Sequence, residues 1–123
     1  MGHGARDELG TTFDDNYISG TKTLVYTTPS ITISAAAEEW ATIELDTPFD
    51  YNGTDNLIME IQWSGGSGTF YTYKWETGTD RCVKASNPGL PTGAVSTQMC
   101  QFRIELPLAL QNSTFGSIKG MFY

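Results

Sequence analysis

Residues 57–75 read Leu57-Ile58-Met59-Glu60-Ile61-Gln62-Trp63, then Ser64-Gly65-Gly66-Ser67-Gly68, then Thr69-Phe70-Tyr71-Thr72-Tyr73-Lys74-Trp75. Leu57, Met59, Ile61 and Trp63 recur at every second position, the period of a strand with one covered face. Ile58, of opposite parity, indicates partial cover on the other face too. The Gly/Ser run is a tight connector into a second, aromatic strand. This stretch therefore predicts two neighbouring β-strands.

The same period extends outward in both directions. Lys22-Thr23-Leu24-Val25-Tyr26-Thr27 is β-rich and is stopped by Pro29, and Ile31-Thr32-Ile33 alternates. Ala41, Ile43 and Leu45 share one face of a strand whose other face carries Trp40, Thr42 and Glu44. In 101–106, Phe102, Ile104 and Leu106 point inward. Asn52-Gly53 marks a turn, and Asn87-Pro88-Gly89-Leu90-Pro91-Thr92-Gly93 a long surface loop. Ser34-Ala35-Ala36-Ala37-Glu38-Glu39 favours helix by composition but is too short to hold one, and reads as a single turn. Short strands with Gly/Pro turns and no helices predict an all-β fold, an antiparallel β-sandwich or barrel. Residues 1–123 form one domain without internal repeats. Residues 1–12 are expected to be flexible or completed by a partner. Residues 111–123, with Phe115, Ile118, Met121 and Phe122, are expected to form a last strand or a tail that needs a partner surface.

Composition narrows the function. Of 123 residues, 39% are hydrophobic, 12% aromatic and only 17% charged, and the net charge is −7. That charge argues against nucleic acid, whose phosphates need clustered Lys and Arg, and against anionic lipid. No apolar run approaches the ~18 residues of a membrane helix, so membrane insertion is not expected. The uncharged, hydroxyl-rich surface is that of an extracellular or cell-surface protein. The opening Met1-Gly2-His3-Gly4-Ala5-Arg6 is not a secretory signal, which is expected to have been removed or to lie outside this chain.

Chemistry-bearing residues are few. Cys82 and Cys100 form an even pair flanking a Pro/Gly-rich loop, and a disulfide between them is expected to contribute ~3 kcal/mol. His3, alone of its type, sits at an end expected to fray, so histidine-based nucleophilic or transition-metal chemistry has no anchor. Glu44, Glu60, Glu76 and Glu105 fall on strands or strand ends. Glu44, Glu60 and Glu105 lie on polar faces, where solvated Glu is ordinary, and a small β domain rarely makes a deep substrate cleft. A carboxylate-dependent hydrolase is thus the last-ranked reading, and no catalytic residue is assigned. Asp50, Asn52, Asp55 and Asn56 cluster hard oxygens around a glycine turn, as Ca²⁺ prefers, although Asx residues also cap turns through their own backbone. No other cofactor is implied. Asp14-Asp15-Asn16 is a second oxygen cluster, and Asn52-Gly53-Thr54 and Asn112-Ser113-Thr114 match the glycosylation pattern.

Aromatics supply the candidate binding surface. Tyr71, Tyr73 and Trp75 share one strand face and Phe70 lies on the other. Such a row is either a core layer or a platform on which the apolar faces of sugar rings stack, and parity alone leaves both open. Trp40, of opposite parity to Ile43 and Leu45, is expected either to point outward as a binding residue or to be covered by the 34–39 loop.

Trp40, Ile43, Leu45, Pro48, Phe49, Tyr51, Gly53, Asn56 and Leu57 follow the pattern Trp, strand, Pro-Phe-x-Tyr-x-Gly-x-x-Asn-Leu. With Phe13-Asp14-Asp15-Asn16-Tyr17, Thr23-Leu24-Val25-Tyr26 and Thr114-Phe115-Gly116-Ser117-Ile118-Lys119, the chain resembles a jelly-roll-like β-sandwich domain of large secreted and cell-surface bacterial proteins associated with type IX-like sorting. The resemblance implies an adhesive or substrate-binding module and not a catalyst. In that family more sheet would precede Met1, which implies either an incomplete sandwich whose open edge a neighbouring copy fills or a domain whose first part lies outside this chain. Two functions follow as expectations: a non-catalytic module binding polysaccharide or a cell surface through Trp40, Tyr71, Tyr73 and Trp75, or a self-assembling surface-layer or filament subunit using strand complementation.

Overall fold

A computed structural model describes residues 1–105. Leu106, the tail 111–123 and the sequon at Asn112 lie outside the described residues. Among those described, regular structure is all β apart from one 3₁₀ turn at Asp14–Asn16, and no helix is long and apolar enough to cross a membrane. The strands are β1 (Gly2–Gly4), β2 (Asn56–Ile58), β3 (Lys74–Glu76), β4 (Cys82–Lys84), β5 (Ala94–Ser96) and β6 (Gln98–Cys100). They pair as three two-stranded antiparallel sheets, β1–β2, β3–β6 and β4–β5.

The first sheet is built around the N-terminal residues. Gly2, His3 and Gly4 face Ile58, Leu57 and Asn56. Their other edge is occupied by residues 16–23: Ala5 N–H donates to Asn16 O (2.8 Å), Ile18 N–H to His3 O (2.9 Å) and Thr23 N–H to Met1 O (2.7 Å). β1 thus has partners on both sides. Its glycines suit the crowding, since a Cβ on Gly2 would lie 2.5 Å from Tyr17 Cδ1. Residues 1–12, expected to be flexible or partner-completed, are engaged here within their own chain.

The other two sheets form one long ribbon. β4 and β5 pair with Val83 opposite Val95, and β3 and β6 pair with Trp75 opposite Met99. Between Glu76↔Gln98 and Cys82↔Ser96, one side advances six residues and the other two. Residues 77–81 absorb the difference as a bulged segment. Thr77 fastens it, donating from N–H (2.9 Å) and Oγ1 (2.6 Å) to Thr97 O, and Arg81 N–H donates to Ser96 O (3.2 Å). The Pro/Gly run 87–93 lies in the tip between β4 and β5. Residues 9–13 then stitch the ribbon to the first sheet: Leu9 N–H donates to Asp80 O (2.7 Å), Phe13 N–H to Pro91 O (3.0 Å) and Gly93 N–H to Thr11 O (2.8 Å).

Several expectations are corrected. Cys82 and Cys100 are free thiols, not a disulfide. Cys82 faces Ser96 and Cys100 faces Lys74, on separate ladders. Ser96 and Cys100 are four residues apart, ~13 Å along an extended strand, about twice the Cα separation a disulfide spans. The stretch 83–99, read as a loop to be stapled, carries β5 and most of β4 and β6. Conversely, 22–27, 31–33, 41–45 and 101–105 contain no strand; of the two strands expected to be neighbours in 57–75, only Leu57–Ile58 and Lys74–Trp75 are strand, and they pair with β1 and β6 and not with each other. Just past 41–45, Thr47 N–H donates to Val25 O (3.1 Å). Ile43, Leu45, Met59, Ile61 and Trp63, placed on inward faces by parity, are exposed. Alternation fixes which residues share a face; cover for that face has to come from elsewhere in the chain or beyond it. The turn at 34–39 is as read, with Glu39 N–H donating to Ala36 O (3.1 Å).

Candidate functional site

The segment expected to be an aromatic strand is strand only at Lys74–Glu76, and the rings that precede β3 are in solvent. Tyr71 is 89% exposed and Tyr73 62%. Trp75, third in the row, is half-buried in β3, where it faces Met99. Phe70 and Trp63 are exposed as well. The row is therefore accessible at Tyr71 and Tyr73 and anchored at Trp75. Backbone pairing continues beyond β6 beneath it, with Gln101 N–H donating to Tyr73 O (2.9 Å). Trp40 is also exposed, and the Arg103 guanidinium lies 5.2 Å from its ring centroid. Arg103 in turn pairs with Glu105 at 2.7 Å, which leaves that contact at the surface.

The oxygen-rich turn is organised around Asn52. Its Oδ1 accepts the backbone N–H groups of Thr54 (3.0 Å) and Asp55 (3.1 Å) and the Thr54 hydroxyl (3.2 Å), while its Nδ2 donates to Asp55 Oδ2 (2.7 Å). Asn56 donates to Arg6 O (3.2 Å) and Asp7 Oδ1 (3.1 Å), and Asp50 is exposed. Asn52 and Asp55 thus bond within the turn, as Asx residues do in capping, and Asn56 bonds to the bend that follows β1. Among the described residues, no group of three or more His, Cys, Asp and Glu side chains is gathered to hold a metal ion.

Two further clusters emerge only in three dimensions. His3 is 8% exposed and not solvated as expected. Its ring packs on Phe49 (centroids 5.1 Å) and Tyr51 (5.7 Å), and its Nε2 accepts the N–H of Asn52 (3.1 Å). An acceptor at Nε2 is an unprotonated nitrogen, so the neutral ring carries its proton on Nδ1.

The second cluster centres on Glu60, whose side chain is 15% exposed. Tyr17 Oη donates to Glu60 Oε2 (2.8 Å), Lys22 Nζ lies 3.0 Å from the same oxygen, and Gln62 donates to Oε1. Lys22 also pairs with Asp14 (3.1 Å) and stands 5.0 Å from the Tyr17 ring centroid. Burial works to raise the Glu60 pKa. The hydrogen bonds from Lys22, Tyr17 and Gln62 and the Lys22 charge outweigh it, and the carboxyl is held below its ordinary value. Burial first, and then the bond to Glu60, push the Tyr17 phenol well above its ordinary value. An acid catalyst needs a raised carboxyl pKa, and Glu60 is shifted the other way. Beside this cluster is an open cleft of about 600 Å³, bordered by Arg6, Asp14, Asp15, Tyr17 and Lys22. In the sequence, Ile58 shares parity with Glu60, and its partial cover was the one local sign that this face is not wholly solvated.

Comparison with family models, with curated proteins and with solved structures gives no match.

Proposed function

We propose that this chain is a non-catalytic extracellular binding module that takes polysaccharide or a cell-surface glycan on Tyr71 and Tyr73, with Trp40 as a separate aromatic contact. The observation that carries the reading is the exposure of two neighbouring tyrosines just before β3, 89% and 62%. Water-exposed rings offer apolar area to the C–H faces of sugars, and their hydroxyls offer polar contacts. Trp75, set in β3 against Met99, fixes the base of the platform. On this reading the small sheets belong to a jelly-roll-like β-sandwich, and the resemblance of residues 40–57 to adhesive bacterial modules supports it.

Retention on insoluble glycans and affinity electrophoresis in soluble ones test this. Tyr71→Ala and Tyr73→Ala are each expected to weaken binding about tenfold, the loss of ~1.4 kcal/mol. Absence of retention on every glycan, or a Tyr71→Ala/Tyr73→Ala double variant that binds like wild type, rejects it.

A second reading, a self-assembling surface subunit, is favoured by exposed aliphatic side chains, Leu24 and Ile61 above all, which offer nothing to a sugar. Light scattering at rising concentration separates the two: assembly that Leu24→Ser or Ile61→Ser abolishes supports the subunit, and a monomer throughout excludes it.

A further inference from the structure

We propose that Asn52–Gly53 is a site of spontaneous deamidation, and that the carboxylate formed there opens the turn that holds His3. This goes beyond the binding role and does not depend on it. Gly53 sits at φ +76°, and nothing lies within 4 Å of where a Cβ would be, so no side chain at this following residue hinders its attack on Asn52 as a bulkier neighbour would. Three donors converge on Asn52 Oδ1: the N–H groups of Thr54 and Asp55 at 3.0 and 3.1 Å and the Thr54 hydroxyl at 3.2 Å. That oxygen becomes negative when Cγ turns tetrahedral, and converging donors of this kind stabilise such an oxyanion.

In the first step the Gly53 backbone nitrogen bonds to Asn52 Cγ and loses its proton to solvent base. The Cγ–Nδ2 bond breaks, and the departing nitrogen takes up a proton and leaves as ammonia. A five-membered succinimide remains. Water then opens one of its two carbonyls, giving aspartate or isoaspartate at position 52. The net reaction consumes one water, releases one ammonia and involves no oxidant or reductant.

The product does not fit the turn. Asn52 Nδ2 now donates to Asp55 Oδ2 across 2.7 Å; a carboxylate there sets two negative oxygens face to face. Asn52 N–H is also the donor to His3 Nε2, and His3 pairs with Leu57 across β1 and β2. Displacing residue 52 therefore loosens the pin of the first sheet.

The test incubates the folded chain at mildly alkaline pH, with a urea-unfolded control, and follows the peptide containing 52–53 by mass spectrometry and isoaspartyl methyltransferase labelling. The expected result is a one-dalton gain on that peptide, slowed severalfold by Thr54→Ala, with a thermal midpoint that falls by about 5 °C as conversion proceeds. Asn52→Asp is expected to reproduce the fall, and Asn52→Asp combined with Asp55→Asn to restore the midpoint, because an amide again donates across the pair. No gain in the folded chain while the unfolded control converts overturns the assignment. A gain without a fall in midpoint, or a double variant no more stable than Asn52→Asp, overturns the coupling to the turn.

Discussion

Asn16 shows how one side chain can organise a loop. It is 2% exposed, and its amide donates to Gly10 O and Thr12 O (both 3.0 Å) while its Oδ1 accepts Gly10 N–H (2.7 Å). A polar group so enclosed is tolerable only because its bonds are made. Asn16→Ala would orphan three backbone groups and is expected to cost about 2–4 kcal/mol, read by urea denaturation. Glu38 is the opposite case, a non-glycine residue at φ +68° in an exposed turn. Glu38→Gly removes that steric cost and is expected to stabilise by about 0.5–1 kcal/mol in the same measurement.

At the scale of the element, the ribbon depends on backbone contact more than on side-chain burial. A Cβ on Gly93 would lie 2.5 Å from Lys84 O, a main-chain atom that cannot step aside. Gly93→Ala is expected to destabilise by about 1–3 kcal/mol and to speed hydrogen exchange at the β4–β5 amides first. The thiols probe the same ribbon. Cys100 is exposed, whereas Cys82 is half-buried, and burial raises its pKa, with smaller opposing and reinforcing effects from Lys84 and Cys100. Both should react with a thiol reagent without prior reduction, Cys100 ahead of Cys82. A protein that reacts only after reduction would restore the disulfide reading.

For the whole molecule, the Glu60 cluster ties the 17–22 segment to the chain leaving β2, and it predicts how stability follows pH. Glu60 is held below its ordinary value, so its contribution is present above the unfolded pKa of about 4.3 and is lost as pH falls through the folded value. Tyr17 and Lys22 are both raised, so theirs are present below about pH 10 and are lost as pH rises through the folded values. For Lys22, burial opposes the rise and the bonds to Glu60 and Asp14 prevail. The contribution of this cluster to the thermal midpoint is therefore expected to be level between about pH 5 and 10. Glu60→Gln should lower that level and flatten its acid limb, and an unchanged profile would remove the cluster from the stability of the fold.

Local pattern determined the class of structure and the positions of its punctuation. Period-2 apolar residues, the absence of a sustained helical period, the glycine turn at 52–53 and the tip at 87–93 are all written in neighbouring residues, because strand parity and turn conformation are short-range properties. What those strands pair with, and which faces are covered, belong to the tertiary structure. Tyr17 and Glu60 are 43 residues apart, His3 and Asn52 49, and no periodicity joins them. The same reason explains why a segment read as a stapled loop became a ribbon, and why an end expected to fray became a paired strand with backbone bonds on both edges: pairing and burial are decided by distant partners, and a strand's sequence specifies only how it can be paired.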